Sequence, residues 1–313
     1  MNTQPVRIGT RASKLALTQA GHMAARIAEA LGGGPELAPL IHITTSGDRI
    51  QDRRLMDIGG KALFTKEIED ALLEGRIDCA IHSLKDMPAE SPPGLVLAAI
   101  PVREDPRDAF LSDRFASLAD LPQGARLGTA SLRRQAQSLH RRPDLAMINL
   151  RGNVDTRLAK MERGEADAIL LAAAGLNRLG LGHLPRMLLD PVEAPPAPGQ
   201  GALAIQTRAQ DVNAPWAVAL RHAPTALAVA GERGALMALE GSCRTAIGAH
   251  GRLDGARLYL IVEALTPDGA RRFRREGETD VGGPDGETAA RDLGLRLGAS
   301  IGAEGGEALL IPA

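Results

Sequence analysis

Two stretches of this chain repeat one pattern in one order, and that repeat limits the fold more than any other feature. "RIGTRASKLALTQA" at 7–20 resembles "RLGTASLRRQAQS" at 126–138: an apolar run, Gly-Thr, a serine, then helix-like spacing. "GRIDCAI" at 75–81 resembles "GEADAIL" at 164–170 in the same way. β-α-β units share such patterns in general, so one hit alone would say little. Two hits in the same order favour a duplicated lobe. Alternating strands and helices in both copies imply α/β lobes with largely parallel sheets covered on both faces. Sixty-six residues separate Gly9 from Gly75, but only 36 separate Gly128 from Gly164, so the first lobe carries an insertion. The polar, glycine-containing stretch at 46–63 is its natural place. An excursion of that length in a compact domain is more often a functional lid than a simple connection.

The local signals fill in the rest. Val6 to Thr10 reads as a strand, and Ser13 as the N-cap of a helix running to about Leu31, where Gly32, Gly33 and Gly34 stop it. Residues 37–45 read as a second strand, about 65–74 as a helix, and 77–82 and 95–100 as further strands. A second lobe begins near Pro101, after "SPPG". The proline-rich "EAPPAPGQGALAIQ" at 193–206 reads as an extended crossover and a strand that returns the chain to the first lobe. From about Ala223 the pattern changes. A helix-like run, "TALAVAGERGALMALE", leads into Cys243; two β-like runs (247–253 and 257–265) and a helix at about 286–300 make a small α+β domain. The expected division is 1–100 with 200–220 as a discontinuous lobe 1, 101–199 as lobe 2, and 221–313 as a C-terminal domain.

Length and charge exclude some classes. At 313 residues the chain has room for two or three cores. Its 37 basic and 38 acidic side chains nearly cancel, so no global nucleic-acid footprint exists. No apolar run approaches the roughly 18 residues of a membrane span. The start, "MNTQPVRIGT", lacks the layout of a secretory signal, and a cytoplasmic location is expected. Reducing conditions there argue against a disulfide between Cys79 and Cys243. Cys79, inside the β-like "IDCAIHS", reads as a small buried apolar residue. Cys243 sits in the glycine-flanked turn "EGSCRTAIG". That placement suits a covalent attachment point, against the ordinary reading of a structural thiol. No Cys/His cluster has zinc-ligand spacing.

The charged junctions carry the chemistry. Gly9–Ser13 and Gly128–Ser131 lead from strand to helix, and helix N-termini offer free N–H groups and partial positive charge. Arg11 and the pair Arg133 and Arg134 add full charge there, with forks that match carboxylates or phosphates. Walker and dinucleotide fingerprints are missing. "HSLKDMP" places Ser83, Lys85 and Asp86 at the carboxyl end of a strand, where Asp86 is set to stabilise a developing cation or move a proton. His82 reads as a packing or hydrogen-bonding residue. "LRGNVDTRL" brings Arg151 and Arg157 to another such turn, and "AAAGLNRLG" brings Arg178. A single arginine is usually a solvated surface residue. A row of them beyond successive strands of one sheet suits a ligand with several carboxylates.

Taken together, "RIGTRASKLAL", "GGKALFTKEIE", "HSLKDMP", "REDPRDAF", "GTASLRRQ", "LRGNVDTRL", "AAAGLNRLG", "PGQGAL" and "EGSCRTAIG" resemble the porphobilinogen deaminase family over nearly the whole chain. The resemblance implies an α/β fold: two periplasmic-binding-protein-like lobes with a central cleft, plus a small α+β C-terminal domain. It implies a hydroxymethylbilane synthase of tetrapyrrole and heme biosynthesis, a transferase that joins four porphobilinogen molecules head to tail with loss of ammonia. A dipyrromethane cofactor, held by a thioether at the position of Cys243, primes the chain. By the same resemblance Asp86 is the catalytic carboxylate, steadying azafulvene-type cations. Ser83, Lys85, Asp86, Thr129, Ser131, Arg133 and Arg134 bind the cofactor, and Arg11, Ser13, Arg151, Arg157 and Arg178 bind substrate and growing chain. Lys61 and Phe64 match a loop over the active site. A monomer without metal, nucleic-acid or membrane partner is expected.

Departures lie at Ser242, where glycine is common, Ala246 and Lys14, where proline is common, and in "TTSGD" before Asp48, which lacks the usual arginine. They bear on loop details rather than on the reaction. A solute-binding protein for a carboxylated ligand would explain the lobes and arginines but leave Cys243 and the third domain idle.

Overall fold

A computed structural model describes residues 4–49, 65–184, 186–239 and 245–311. The chain divides into two compact units. Of the described residues, one takes in those up to Glu104 with Gly201–Ala226; the other takes in those of Asp105–Gln200 and from Leu227 on.

The first unit is built on one five-stranded sheet. Its strands are β1 (Ile8–Thr10), β2 (Leu40–His42), β3 (Cys79–Ser83), β4 (Leu95–Ala99) and, after the chain returns, β10 (Leu203–Arg208), in the order β2-β1-β3-β10-β4. β1 pairs parallel with β2 and β3, while β10 runs antiparallel between β3 and β4. In the second unit β5 (Asp108–Leu111), β6 (Arg126–Gly128), β7 (Ala146–Ile148), β8 (Ala168–Ala172) and β9 (Met187–Leu188) are ordered β7-β6-β8-β5-β9. β6 is parallel to β7 and β8, and β5 is antiparallel to β8 and β9. The two orders match position for position, so the repeat seen in the sequence is a repeat of topology.

The sheets are mixed, which corrects the expectation of largely parallel ones. In each, the fourth strand is not delivered by a βαβ crossover. Nothing therefore fixes it parallel to its neighbours. β5 was not read from the sequence. Four residues, "DAFL", opened by an acid, carry too little periodicity.

Ser13 caps helix α1 (Lys14–Ala30), its side chain accepting from the Ala16 N–H, and the buried Gln19, Ala20, Met23 and Ile27 form its inner stripe. Gly32, at φ 76°, follows the helix end as expected. β2 is shorter than the expected 37–45 because Pro35–Leu37 forms a 3₁₀ turn before it. Ile8, Ile27, Cys79, Ile81, Leu203, Ile205 and Trp216 pack together around the sheet. Ile43, Ile68, Leu72, Ile77 and Leu95 form a second cluster. Cys79 is fully buried, which pushes its thiol up and leaves it inert. Of the expected insertion only the helical turn α2 (Ser46–Arg49) is described, before helix α3 (Lys66–Leu73); the remainder lies outside the described residues.

In the second unit α4 (Leu132–Arg141), α5 (Val154–Glu162) and α6 (Ala173–Arg178) follow β6, β7 and β8. The α+β part then holds α7 (Ala223–Ala238), an antiparallel sheet of β11 (Ala246–Asp254), β12 (Arg257–Leu265) and β13 (Arg272–Asp280), and α8 (Gly286–Gly305). Its core joins Ala235, Ile247, Leu260, Val262, Phe273, Leu293 and Ile301. β13 was missed from sequence because "RFRREGETD" is mostly charged and only Phe273 is buried. Helices α7 and α8 meet backbone to backbone. A Cβ on Gly294 would lie 1.9 Å from the Gly231 carbonyl oxygen, so that crossing admits glycine alone.

Candidate active site

In the first unit β1 and β3 are parallel neighbours, so their carboxyl ends open on the same edge of the sheet. Arg11 and Ser13 follow β1. Ser83 ends β3, and a 3₁₀ turn, Leu84–Asp86, follows it. Leu84 is fully buried and its N–H donates to the Ala202 carbonyl at 3.0 Å, which anchors the turn. Lys85 is left half-buried and Asp86 exposed. Ser83 Oγ donates to Gln19 Oε1 at 3.2 Å, tying the turn to α1. Arg11, Gln19, His82, Ser83 and Asp86 line one small hollow.

A buried relay supports this edge from behind. Gln206 Nε2 donates to Glu69 Oε1 at 3.1 Å, and Gln206 Oε1 lies 3.1 Å from His82 Nε2. With its amide nitrogen committed to a carboxylate, Gln206 can only accept from His82, which assigns the proton to Nε2. Burial brings the imidazole down to about 4; the Gln206 bond opposes this and Arg11 adds to it. His82 is therefore neutral at pH 7 and serves as a prop, in line with the sequence reading.

In the second unit β7, β6 and β8 lie side by side and parallel. Their carboxyl ends lead into α5, α4 and α6. Ser131 caps α4, accepting from the Arg134 N–H at 3.4 Å, and Thr129 Oγ1 accepts from the Ser131 N–H at 3.2 Å. Asn153 caps α5, and Arg157 folds back so that its Nε donates to the Gly152 carbonyl at 2.8 Å. Arg151 is half-buried, with Nη1 buried and without a partner among the described residues. Arg178 stands apart from these. It ends α6 rather than starting it, about 9 Å along the helix from β8.

Arg133 and Arg134 are far more enclosed than surface anion binders, at 5% and 6% exposure. Arg134 Nη2 lies 2.8 Å from Asp108 Oδ1, and Arg133 Nη1 lies 2.6 Å from Asp108 Oδ2. Arg134 also donates to the Leu170 carbonyl and Gln200, and Arg133 Nη1 to Gln137 and the Pro195 carbonyl. Burial alone would raise the Asp108 carboxyl. The two guanidinium groups more than reverse that and hold it well below the usual carboxylate range. Asp108 was not read from the sequence, although "REDPRDAF" contains it; an acid opening an apolar strand was the available signal. One carboxylate against two guanidinium groups leaves the trio with a positive charge to spare. Arg133 Nε is buried and has no partner among the described residues.

Cys243, Lys61 and Phe64 lie outside the described residues. Ala246, three residues after Cys243, is fully buried in a cluster with Ala136 and Leu265.

Duplicated α/β lobes with hydroxyl caps and guanidinium groups at their strand ends define a protein class built to hold multiply anionic ligands. Comparison with known proteins narrows this class. Residues 6–215 match the family model "Porphobilinogen deaminase, dipyromethane cofactor binding domain", and 226–303 match "Porphobilinogen deaminase, C-terminal domain". A porphobilinogen deaminase of Caulobacter sp. (strain K31) is 70% identical over 99% of this chain and 99% of its own. One from Phenylobacterium zucineum (strain HLK1) is 65% identical over 99% of this chain and 100% of its own. Among solved structures, the Bordetella pertussis BvgS periplasmic VFT2 domain aligns at 14% identity over 70% of this chain and 86% of that one, with a TM-score of 0.40. The chain belongs to the porphobilinogen deaminase family. Its activity is the family's, the stepwise condensation of porphobilinogen into hydroxymethylbilane on a dipyrromethane cofactor.

Proposed function

We propose that Asp86 is the catalytic carboxylate of this synthase. The observation that carries the assignment is its placement: an exposed acid on an anchored turn, sharing a hollow with Arg11 and backed by a neutral His82. Its oxygens accept from a pyrrole N–H and offset the positive charge that grows as ammonia leaves the substrate. Arg11, lining the same hollow, holds a substrate carboxylate beside it.

The donor set fits a dipyrromethane. Each pyrrole of that group carries an acetate and a propionate, and the buried Arg133 Nε, without a partner among the described residues, is a donor that such a carboxylate satisfies. When bound, the cofactor supplies the free pyrrole carbon to which the first substrate unit is joined. Ser83, Lys85, Thr129, Ser131, Arg133 and Arg134 hold its carboxylates, and Cys243 carries the thioether. Ser13, Arg151, Arg157 and Arg178, with Arg11, orient the incoming and growing chain. Lys61 and Phe64 belong to a covering loop. The division into lobe 1 (1–100 with 200–220), lobe 2 (101–199) and a cofactor-bearing domain (221–313) belongs to the same proposal. So does a cytoplasmic monomer without nucleic-acid or membrane partners; among the described residues no helix is long and apolar enough to cross a membrane.

Replacing Asp86 by Asn tests the central assignment. Turnover of porphobilinogen should fall about a hundredfold or more, with the unfolding midpoint unchanged. Turnover within twofold of the wild type would remove Asp86 from the reaction.

A further inference from the structure

Glu263 is a buried acid to which the reaction as described gives no role. It lies on β12, opposite Gly248 of β11, and is 1% exposed. Its Oε1 accepts from Gln137 Nε2 at 2.7 Å, while Oε2 is buried with no partner among the described residues. Gln137 lies one helical turn beyond Arg133 on α4. Its Nε2 also donates to the Pro195 carbonyl at 2.9 Å, and its Oε1 accepts from Arg133 Nη1 at 2.9 Å. Two acceptors therefore fix the nitrogen end of this amide, and a flip would set oxygen against oxygen. The sheet leaves room for this contact. A Cβ on Gly248 would lie 2.6 Å from the Pro195 oxygen and 3.3 Å from Gln137 Nε2.

We propose that Glu263 is a positioning residue: through Gln137 it holds Arg133 by its Nη1 corner and keeps the Nε edge available to a carboxylate of the dipyrromethane. Among the described residues, the hydrogen bonds of Arg133 come from Nη1, to Asp108, Gln137 and the Pro195 carbonyl. The relay thus loads one corner of the fork and leaves Nε without a partner among the described residues. It also ties the helix that starts the anion site to β12 of the α+β part, whose β11 begins at Ala246, three residues after Cys243. Burial keeps the Glu263 carboxyl above its ordinary range, against the pull of Gln137, Arg272, Arg274 and Arg133. The proposal rests on the reading of Arg133 as a holder of the cofactor.

The test is the loading of full-length apoprotein with porphobilinogen, followed as the two-pyrrole increment in intact mass, with the thermal midpoint of each apoprotein measured beside it. Glu263→Met removes the acceptor at similar volume, and loading should slow about tenfold, the scale of one charge-linked hydrogen bond. Its apoprotein should be no less stable, because a half-satisfied buried acid contributes little to folding. Glu263→Gln keeps an acceptor and should load within twofold of the wild type. Adding Glu263→Met to Gln137→Met should slow loading no further than Gln137→Met alone, since both cut one relay. Wild-type loading by Glu263→Met, a Glu263→Gln variant as slow as Glu263→Met, or additive losses in the double variant would each overturn the proposal. Arg133→Lys separates this failure from that of the underlying reading. It keeps a cation on Asp108 and loses the fork, and if it too loads normally, Arg133 is no holder of the cofactor.

Discussion

Arg134 sets both Nε and Nη2 on a single oxygen of Asp108, at 3.0 and 2.8 Å, inside a site where the carboxylate is 1% exposed. Arg133 takes the other oxygen. The start of α4 is thus clamped by its own counter-ion before any ligand arrives, and the anion site is a rigid one.

Removing that counter-ion leaves two buried guanidinium groups facing each other. Asp108→Asn should lower the unfolding free energy at pH 7 by about 3–5 kcal/mol, read from urea titration. The Asp108 carboxyl is held well below the usual range in the folded chain, so its contribution is present above the unfolded value of about 3.9 and is lost as pH falls below it. The gap between wild type and variant should therefore stay constant from pH 7 to about pH 5 and shrink in stronger acid. A gap under 1 kcal/mol at pH 7 contradicts the clamp.

His82 has the opposite charge logic and a different window. Its folded value of about 4 lies below the unfolded value of about 6.5, so between them the unfolded chain binds the extra proton. Stability from this group is complete above about pH 6.5 and falls as pH drops toward 4, by something of order 3 kcal/mol. His82→Gln should flatten that part of the pH dependence. Urea midpoints at pH 7 and pH 4.5 that fall equally in both proteins would contradict the buried neutral histidine.

The crossing of α7 and α8 depends on having no side chain at Gly294. Gly294→Ala would place a Cβ 1.9 Å from the Gly231 carbonyl oxygen, and the helices must part to admit it. A loss of about 2–3 kcal/mol in urea titration is expected, against less than about 0.5 for Gly283→Ala, whose added Cβ meets nothing within 4 Å. Equal effects of the two would show that the helices are not in backbone contact.

What the sequence disclosed followed from how local each signal was. Ser13 capping α1, the strand-to-helix junction at Gly128–Ser131 and the turn Leu84–Asp86 at the end of β3 depend on neighbours within a few residues, and the structure places them as read. The duplicated topology was legible because each copy keeps its strand, turn and helix in order. β13 was not, because its charges face outward on an edge strand and leave only Phe273 to mark the core. Asp108, Glu263 and Gln206 were out of reach for another reason. An acid or amide becomes part of a site only through partners such as Arg133, Gln137 and His82, which lie 25, 126 and 124 residues away in the chain.

Intact-mass spectrometry of the purified chain and of Cys243→Ser bears most directly on the cofactor assignment. The wild type should be heavier than its sequence by two linked pyrrole units, and Cys243→Ser should weigh what its sequence predicts and turn over no porphobilinogen. A wild type at its sequence mass with full turnover, or a Cys243→Ser variant that still carries the increment, would contradict the account.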